Sequence, residues 1–355
     1  MKNIALLGYS LHHGGADKNF ANISLLLHEN GFNVHTLIVN DGIDYQYGGK
    51  LLNLGLLPNK TPFQRIKKFI TLYQYIKKNK ISHLIDFRSR VNDWQEVLIA
   101  NVLFQNCKPI YTIRSYQLEN YLPKNKWMFK LWTLKKPLII AVSQEIKNKI
   151  TQDYQYKNIK TIKNPIDFTS LILNSNETIA ENDDFILFVG RLSYEKQIPE
   201  LIECYSKSKL PNQNIKLFII GDGEEQSNIE IKINELNQQE NVILLGKKLN
   251  PFSYMKTAKF LILCSKFEGY PTVLIESLAV GTPVISFECS SGPKEIIVPY
   301  KNGLLVENQN FEDLTIALNI MTENQEFYLK CKKNTSIKLD EHSFEMVFNQ
   351  WKEVL

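Results

Sequence analysis

Two carboxylates, Glu268 and Glu276, stand with seven residues between them, and two cations, Arg191 and Lys196, follow an apolar run that ends at Val189-Gly190. An ionised carboxylate only accepts hydrogen bonds, so a pair of them suits a ligand rich in hydroxyl donors. An arginine supplies a planar fork and a lysine a point charge, and together they suit a diphosphate. A sugar nucleotide carries both features. Each pair alone also has a plainer reading, the glutamates as solvated charges at a helix end and an isolated Arg-x4-Lys as coincidence.

The elements that must position these groups are readable. Residues 260–264 and 284–287 are short apolar runs on either side of the Glu268–Glu276 stretch, which predicts strand, loop, helix and strand. Pro271 fits the first helical turn, Gly281 fits the position just past the helix end, and Pro283 forbids continuation. Glu268 then lies at the carboxyl edge of a parallel strand, where ligands bind in open α/β sheets. Glu276 lies about one and a half helical turns further on. The helix start offers free N–H groups and a positive dipole end to a phosphate. A strand over 185–189 likewise delivers Gly190, Arg191 and Lys196 to a strand mouth.

The run Glu268-Gly269-Tyr270-Pro271 through Glu276, with Gly281-Thr282-Pro283-Val284-Ile285, resembles the Glu-x7-Glu region of the family-4 retaining glycosyltransferases, the group 1 glycosyltransferases of the GT-B fold. Ser290-Ser291-Gly292-Pro293-Lys294-Glu295 and Asn302-Gly303-Leu304 extend the likeness over nearly the whole C-terminal domain. The N-terminal half agrees only in outline. The resemblance implies an α/β protein of two Rossmann-like domains facing across a cleft. It places an acceptor domain at 1–167, joined by a returning C-terminal helix at 340–355, a linker at 168–184 and a donor domain at 185–339. By the same resemblance Arg191, Lys196 and Glu268 are catalytic. Gly190, Glu268, Gly269, Tyr270, Pro271, Thr272, Val273 and Glu276 bind the donor, with Glu276 on the ribose hydroxyls and Glu268 on the transferred sugar. The donor is expected to be a UDP-sugar used as co-substrate, with no further cofactor and no metal. The acceptor is expected to be a glycan or a lipid-linked molecule of cell-envelope polysaccharide synthesis, such as lipopolysaccharide or capsule. Gln197 stands where a glycine is common in this family, which weakens the expected loop geometry.

In the N-terminal half, residues 3–8 read as a buried strand, 9–15 as a loop, and Ala16, Phe20, Ile23 and Leu27 recur at helical spacing up to Gly31. Gly14-Gly15 lets a ligand approach the backbone, or merely turns the chain. The Gly-x-Gly-x-x-Gly dinucleotide pattern is missing from this loop. In the family the loop faces the cleft. Arg114 follows a strand over 109–113 where many relatives carry a histidine, so no histidine-based role is transferred. Gly14, Gly15 and Arg114 are the expected acceptor side. Ser143 is placed to cap a helix from Gln144.

The 355 residues suffice for two cores. A net charge of +5 does not by itself imply nucleic acid, but its distribution is uneven. Residues 60–80 contain no acid and carry Phe63, Ile66, Ile70 and Tyr73 at helical spacing. Residues 124–136 set Trp127, Phe129 and Trp132 among five lysines. Each segment could be a core stripe with a solvated back. Together they predict peripheral contact with an anionic membrane through Lys67, Lys68, Lys77, Lys78, Lys126, Lys130, Lys135 and Lys136, with Trp127 or Trp132 inserting. The five cysteines are scattered and odd in number, which reads as reduced thiols of a cytoplasmic protein with no metal cluster, and the basic segments add the expectation of peripheral attachment at the inner face of the cytoplasmic membrane. No apolar run approaches the roughly 20 residues of a membrane span. Gly221-Asp222-Gly223-Glu224-Glu225 reads as a turn with an acidic helix start rather than a metal site. Rival readings are a sugar-nucleotide epimerase of the same fold, a dinucleotide oxidoreductase and a basic nucleic-acid-binding module. None accounts for Arg191, Lys196, Glu268 and Glu276 together, and nucleic acid is not an expected partner.

Overall fold

Short runs of β-branched and apolar residues, each followed by an amphipathic segment, build two parallel sheets in a computed structural model that describes residues 2–12, 14–58, 60–90, 92–181 and 183–355. His13 of the first loop and Asn182 of the expected linker lie outside the described residues. The chain forms two compact units, Met1–Pro165 with Phe344–Leu355, and Ile166–Ser343.

The first unit holds β1 (Asn3–Gly8), β2 (Asn33–Ile38), β3 (Lys50–Asn53), β4 (His83–Asp86), β5 (Lys108–Ile113), β6 (Leu138–Ala141) and β7 (Ile159–Thr161), in the order β3-β2-β1-β4-β5-β6-β7. Every pairing is parallel. Strands covered on both faces need apolar residues at successive positions, and Ile4, Ala5, Leu6 and Leu7 are all fully buried. Helix Gly14–Glu29 covers one face with Phe20, Ile23 and Leu27, and Ser143 caps helix Gln144–Tyr154 by accepting from the Ile146 N–H at 3.1 Å. The chain terminus completes this core. Helix Phe344–Lys352 buries Val347 and Trp351 against it, so Trp351→Ala costs about 3–5 kcal/mol.

The second unit holds β8 (Phe185–Val189), β9 (Lys216–Ile220), β10 (Val242–Gly246), β11 (Leu261–Leu263), β12 (Val284–Phe287) and β13 (Gly303–Val306), in the order β10-β9-β8-β11-β12-β13. These pairings are also all parallel. Strand order reverses between β1 and β4 in one unit and between β8 and β11 in the other. Such reversals splay neighbouring loops apart at the carboxyl edge and open a crevice there.

Three expectations need correction. The stretch 168–184 is not a linker throughout: Asp167 accepts from the Ser170 N–H at 3.0 Å and starts helix Phe168–Asn174, whose Leu171 is buried in the second unit. Pro271 is the residue before the helix, which runs Thr272–Ala279. Trp132 is buried at 2% exposure and is not available to a membrane, whereas Trp127 is 58% exposed. Five residues of helix turn the chain by about 140° net, so the two indoles cannot share a face.

Candidate active site

The site of the second unit is built from the loops that follow β8 and β11, the two strands flanking the reversal. After β8, Gly190 hydrogen-bonds back to the Ile220 carbonyl at 3.0 Å and the chain turns through Arg191, Leu192 and Ser193 into a short helical turn, Tyr194–Lys196. Gly221 and Gly223 let the next loop pass beneath it. A Cβ on Gly221 would stand 1.8 Å from the Gly190 carbonyl oxygen, and one on Gly223 would stand 2.3 Å from that of Leu192. The run 221–225 is therefore a turn that supports the Gly190–Lys196 loop. Gln197 takes the left-handed conformation, φ +53°, which a glycine would adopt more easily. Its buried side chain is held by Gln309 at 3.0 Å, so the turn survives without glycine.

This geometry brings Lys196 to Glu268. Lys196 Nζ donates to Glu268 Oε1 at 2.5 Å, and Ser265 Oγ donates to the same oxygen at 2.7 Å. The two charged side chains are 17% and 11% exposed. Arg191 is more open, 64% exposed, and its Nη2 donates to Glu195 Oε1 at 2.9 Å. Burial acts to raise the Glu195 carboxyl, but hydrogen bonding, in which Arg191 takes part, and the Arg191 charge hold it below its ordinary value. Each cation thus has a carboxylate in contact, and a diphosphate entering here must compete with both.

The loop after β11 is fixed by its neighbour after β12. The Glu268 N–H donates to the Ser290 carbonyl at 2.7 Å, and Ser291 donates back to the Glu268 carbonyl at 3.2 Å. Ser291 Oγ also donates to the Gly269 carbonyl at 2.7 Å. Tyr270 is buried, with its hydroxyl 3.2 Å from His342 Nε2. Pro271 then releases the chain into helix Thr272–Ala279, on which Thr272, Val273 and Glu276 are half-buried. Lys196 and Glu268 are in contact, Gly190 and Arg191 share their loop, and Gly269–Glu276 continue from Glu268. Reading the sequence did not single out Glu195 or Ser265, the groups that pair with the predicted catalytic residues.

In the first unit, Arg114 follows β5, and its Nη1 donates to the Ala16 carbonyl at 2.7 Å while its Nη2 lies 3.5 Å from that of Gly15. Of the three residues expected on the acceptor side, Arg114 and Gly15 therefore meet, and Gly14 precedes Gly15 at φ +69° and opens the helix. The loop after β4 is held by a buried charge cluster that the sequence reading passed over. Arg88 forks onto Asp86 at 3.0 and 2.9 Å and reaches Glu96 at 3.2 Å, while Arg90 lies 3.4 Å from Asp86. Burial would raise the Asp86 carboxyl, but Arg88 and then Arg90 hold it below its usual range. Two cations and two anions balance there, which fixes the loop but leaves no uncompensated charge.

Two doubly wound parallel units are the architecture of the GT-B type, with Arg191, Lys196 and Glu268 at the reversal of the second, and relatives agree on the fold and the family. Residues 172–337 match the family described as glycosyl transferases group 1. The chain is 30% identical to the N-acetylgalactosamine-N,N'-diacetylbacillosaminyl-diphospho-undecaprenol 4-alpha-N-acetylgalactosaminyltransferase of Campylobacter jejuni, with 91% of each protein covered. The crystal structure of TarM superposes with a TM-score of 0.80 at 15% identity, covering 100% of this chain and 98% of that one. HepE from Anabaena, in complex with UDP-glucose, gives 0.80 at 16%, covering 100% and 99%. The chain belongs to the group 1 glycosyltransferases, and its fold is GT-B.

Proposed function

We propose that this glycosyltransferase moves a sugar from a UDP-sugar to a glycan or lipid-linked acceptor of the cell envelope, with retention at the anomeric carbon and without a metal. The observation that carries the reading is the contact of Lys196 with Glu268 at the sheet reversal, with Arg191 on the same loop. A bound diphosphate takes the two cations from Glu268 and Glu195. The freed Glu268 carboxylate then accepts hydrogen bonds from the sugar, and Glu276 accepts them from the ribose. As transfer proceeds, the bond from the anomeric carbon to the diphosphate oxygen breaks, and its electron pair goes to that oxygen. The acceptor hydroxyl oxygen bonds to the carbon and its proton passes to the departing diphosphate. Arg191 and Lys196 stand where that negative charge grows, which is the contribution that matters most to the barrier. The same two cations and the start of helix Thr272–Ala279 offset the diphosphate, the role a metal would otherwise fill.

Gly14, Gly15 and Arg114 are the acceptor side in this reading. The Campylobacter relative is named for an undecaprenyl-diphosphate-linked acceptor, and another relative, 31% identical over 51% of each chain, is a lipopolysaccharide 1,6-galactosyltransferase of Escherichia coli. The test is a panel of UDP-sugars with a polyprenyl-diphosphate-linked glycan, run in excess EDTA, with the product's anomeric proton read by NMR. The reading expects an α-linked product from an α-linked donor. An inverted product, or donor turnover that ignores the acceptor as an epimerase would, overturns it.

A further inference from the structure

Helix Pro62–Lys78 turns Phe63, Ile66 and Ile70 outward, at 76%, 55% and 49% exposure. Their spacing puts them on one face. Helix Asp93–Leu98, continued by the π-helical turn Ile99–Leu103, likewise exposes Trp94, Leu98 and Val102. Helix Lys126–Trp132 adds Trp127, whose ring centroid lies 6.0 Å from that of Trp94. Hydrogen bonds join the three segments, one of them from Gln105 just past the π-helical turn. Asn101 Nδ2 donates to the Leu131 carbonyl at 3.1 Å, and Gln105 Nε2 donates to the Tyr73 hydroxyl at 3.2 Å. Each segment already buries an apolar side, through Ile76, Val97 and Trp132 respectively, so the outward residues are not needed to close the core. A gathering of this many large apolar groups on a surface marks an interaction site.

The charge around the patch is mainly positive, with Asp93 as an acidic exception. Neither Pro62–Lys78 nor Lys126–Trp132 contains an acidic residue. Lys67, Lys77, Lys126, Lys130 and Lys136 are exposed, and Asp93 nearby accepts from the Lys124 N–H at 3.2 Å.

We propose that these three helical segments form one face that docks the protein on an anionic lipid bilayer. An apolar surface rimmed by lysine and carrying tryptophan is what the interface between headgroups and acyl chains accommodates. Ile66, Ile70, Leu98 and Val102 gain from acyl chains and would gain nothing from the phosphates of a nucleic acid. A second copy of the chain would set lysine against lysine. The purpose of the face rests on the transferase reading, since it holds the enzyme where a lipid-linked acceptor lies, but the docking stands on the surface alone.

The test is flotation with vesicles of phosphatidylcholine containing phosphatidylglycerol and with vesicles of phosphatidylcholine only, at low and high salt. Each lysine near an anionic surface changes partitioning about fivefold, so Lys67→Gln with Lys77→Gln weakens binding about 30-fold at low salt. Trp127→Ser also weakens it, and wild-type tryptophan emission shifts to the blue on the anionic vesicles. Stabilisation by UDP, measured on the same preparations, reports folding and the donor site separately. Docking is overturned by equal or negligible binding to both vesicle types, by undiminished binding of the variants, by self-association that Trp127→Ser abolishes, or by stronger binding to RNA than to vesicles. A UDP response without vesicle binding removes docking and leaves the transferase reading. Vesicle binding without a UDP response does the reverse.

Discussion

Lys196→Ala separates two roles, one assigned by the proposed reaction and one visible in the structure. In the proposed reaction Lys196 meets the charge that grows on the leaving diphosphate, and losing one such preorganised group costs about 10²–10³-fold in turnover. It is also the ionic partner of Glu268, 2.5 Å away, and the pair is 17% and 11% exposed. Exposed pairs contribute less than about 1 kcal/mol, and breaking a fully buried one costs about 3–5. A largely buried pair in which Ser265 still donates to the stranded carboxylate falls between, at about 2 kcal/mol. For a unit of this size that lowers the thermal midpoint by about 4–8 °C. The double variant Lys196→Ala with Glu268→Gln removes the stranded charge, so it regains most of the lost midpoint while turnover stays low. The assay is UDP release from a donor and acceptor pair alongside a calorimetric melt. Near wild-type turnover in the single variant, or a midpoint that the second substitution fails to restore, refutes the reasoning.

Other outcomes follow from single contacts. Gly221→Ala would force a Cβ to within 1.8 Å of the Gly190 carbonyl oxygen, so it should displace the Gly190–Lys196 loop and abolish the thermal shift caused by UDP. Turnover in excess chelator should match turnover with Mg²⁺ or Mn²⁺, and a requirement for either ion would remove the assigned roles of Arg191 and Lys196. His35 is buried against the Tyr75 hydroxyl at 2.9 Å, and burial, then the charge of Lys50, lower its pKa from the ordinary 6.5. As pH falls below 6.5 the unfolded chain binds a proton that the folded imidazole refuses, so stability declines until the lower folded pKa is passed. The slope contributed by this group is at most about 1.4 kcal/mol per pH unit. His83 is shifted the same way, again with burial as the first cause, so His35→Gln should make the acid decline shallower without removing it, as melts from pH 7 to 5 will show.

The parallel sheets were legible because strands buried on both faces must be apolar along their length, and because caps and glycines mark the helix ends. Arg191, Lys196 and Glu268 were legible as candidates because each stands in the loop that follows such a strand, and Glu276 because it stands on the helix that follows Glu268. Their partners were not. Whether Lys196 meets Glu268 or Glu195 depends on how the chain turns at Gln197, and a non-glycine residue in the left-handed region leaves no signature in composition. The helix Phe168–Asn174 was hidden by polar neighbours, although Asp167 is an ordinary cap for it. Asp86, Arg88, Arg90 and Glu96 look like a solvated loop until the fold buries them together. The basic segments showed their lysines but not which tryptophan faced out, since that depends on the rotation of helix Lys126–Trp132.

The most direct measurement of the central claim is the thermal midpoint of the wild type and of Arg191→Ala with Lys196→Ala, each titrated with UDP, UMP and GDP. Ligand at about 100 times its Kd stabilises the folded state by about 2.7 kcal/mol, an upward shift of about 5–10 °C for a unit of this size. UDP should produce that shift in the wild type, with UMP and GDP well behind, and the double variant should lose it while still unfolding cooperatively, from a midpoint lowered by the stranded Glu268. Equal stabilisation of wild type and variant by UDP, or none by any nucleotide diphosphate, would contradict the site assigned to Arg191 and Lys196.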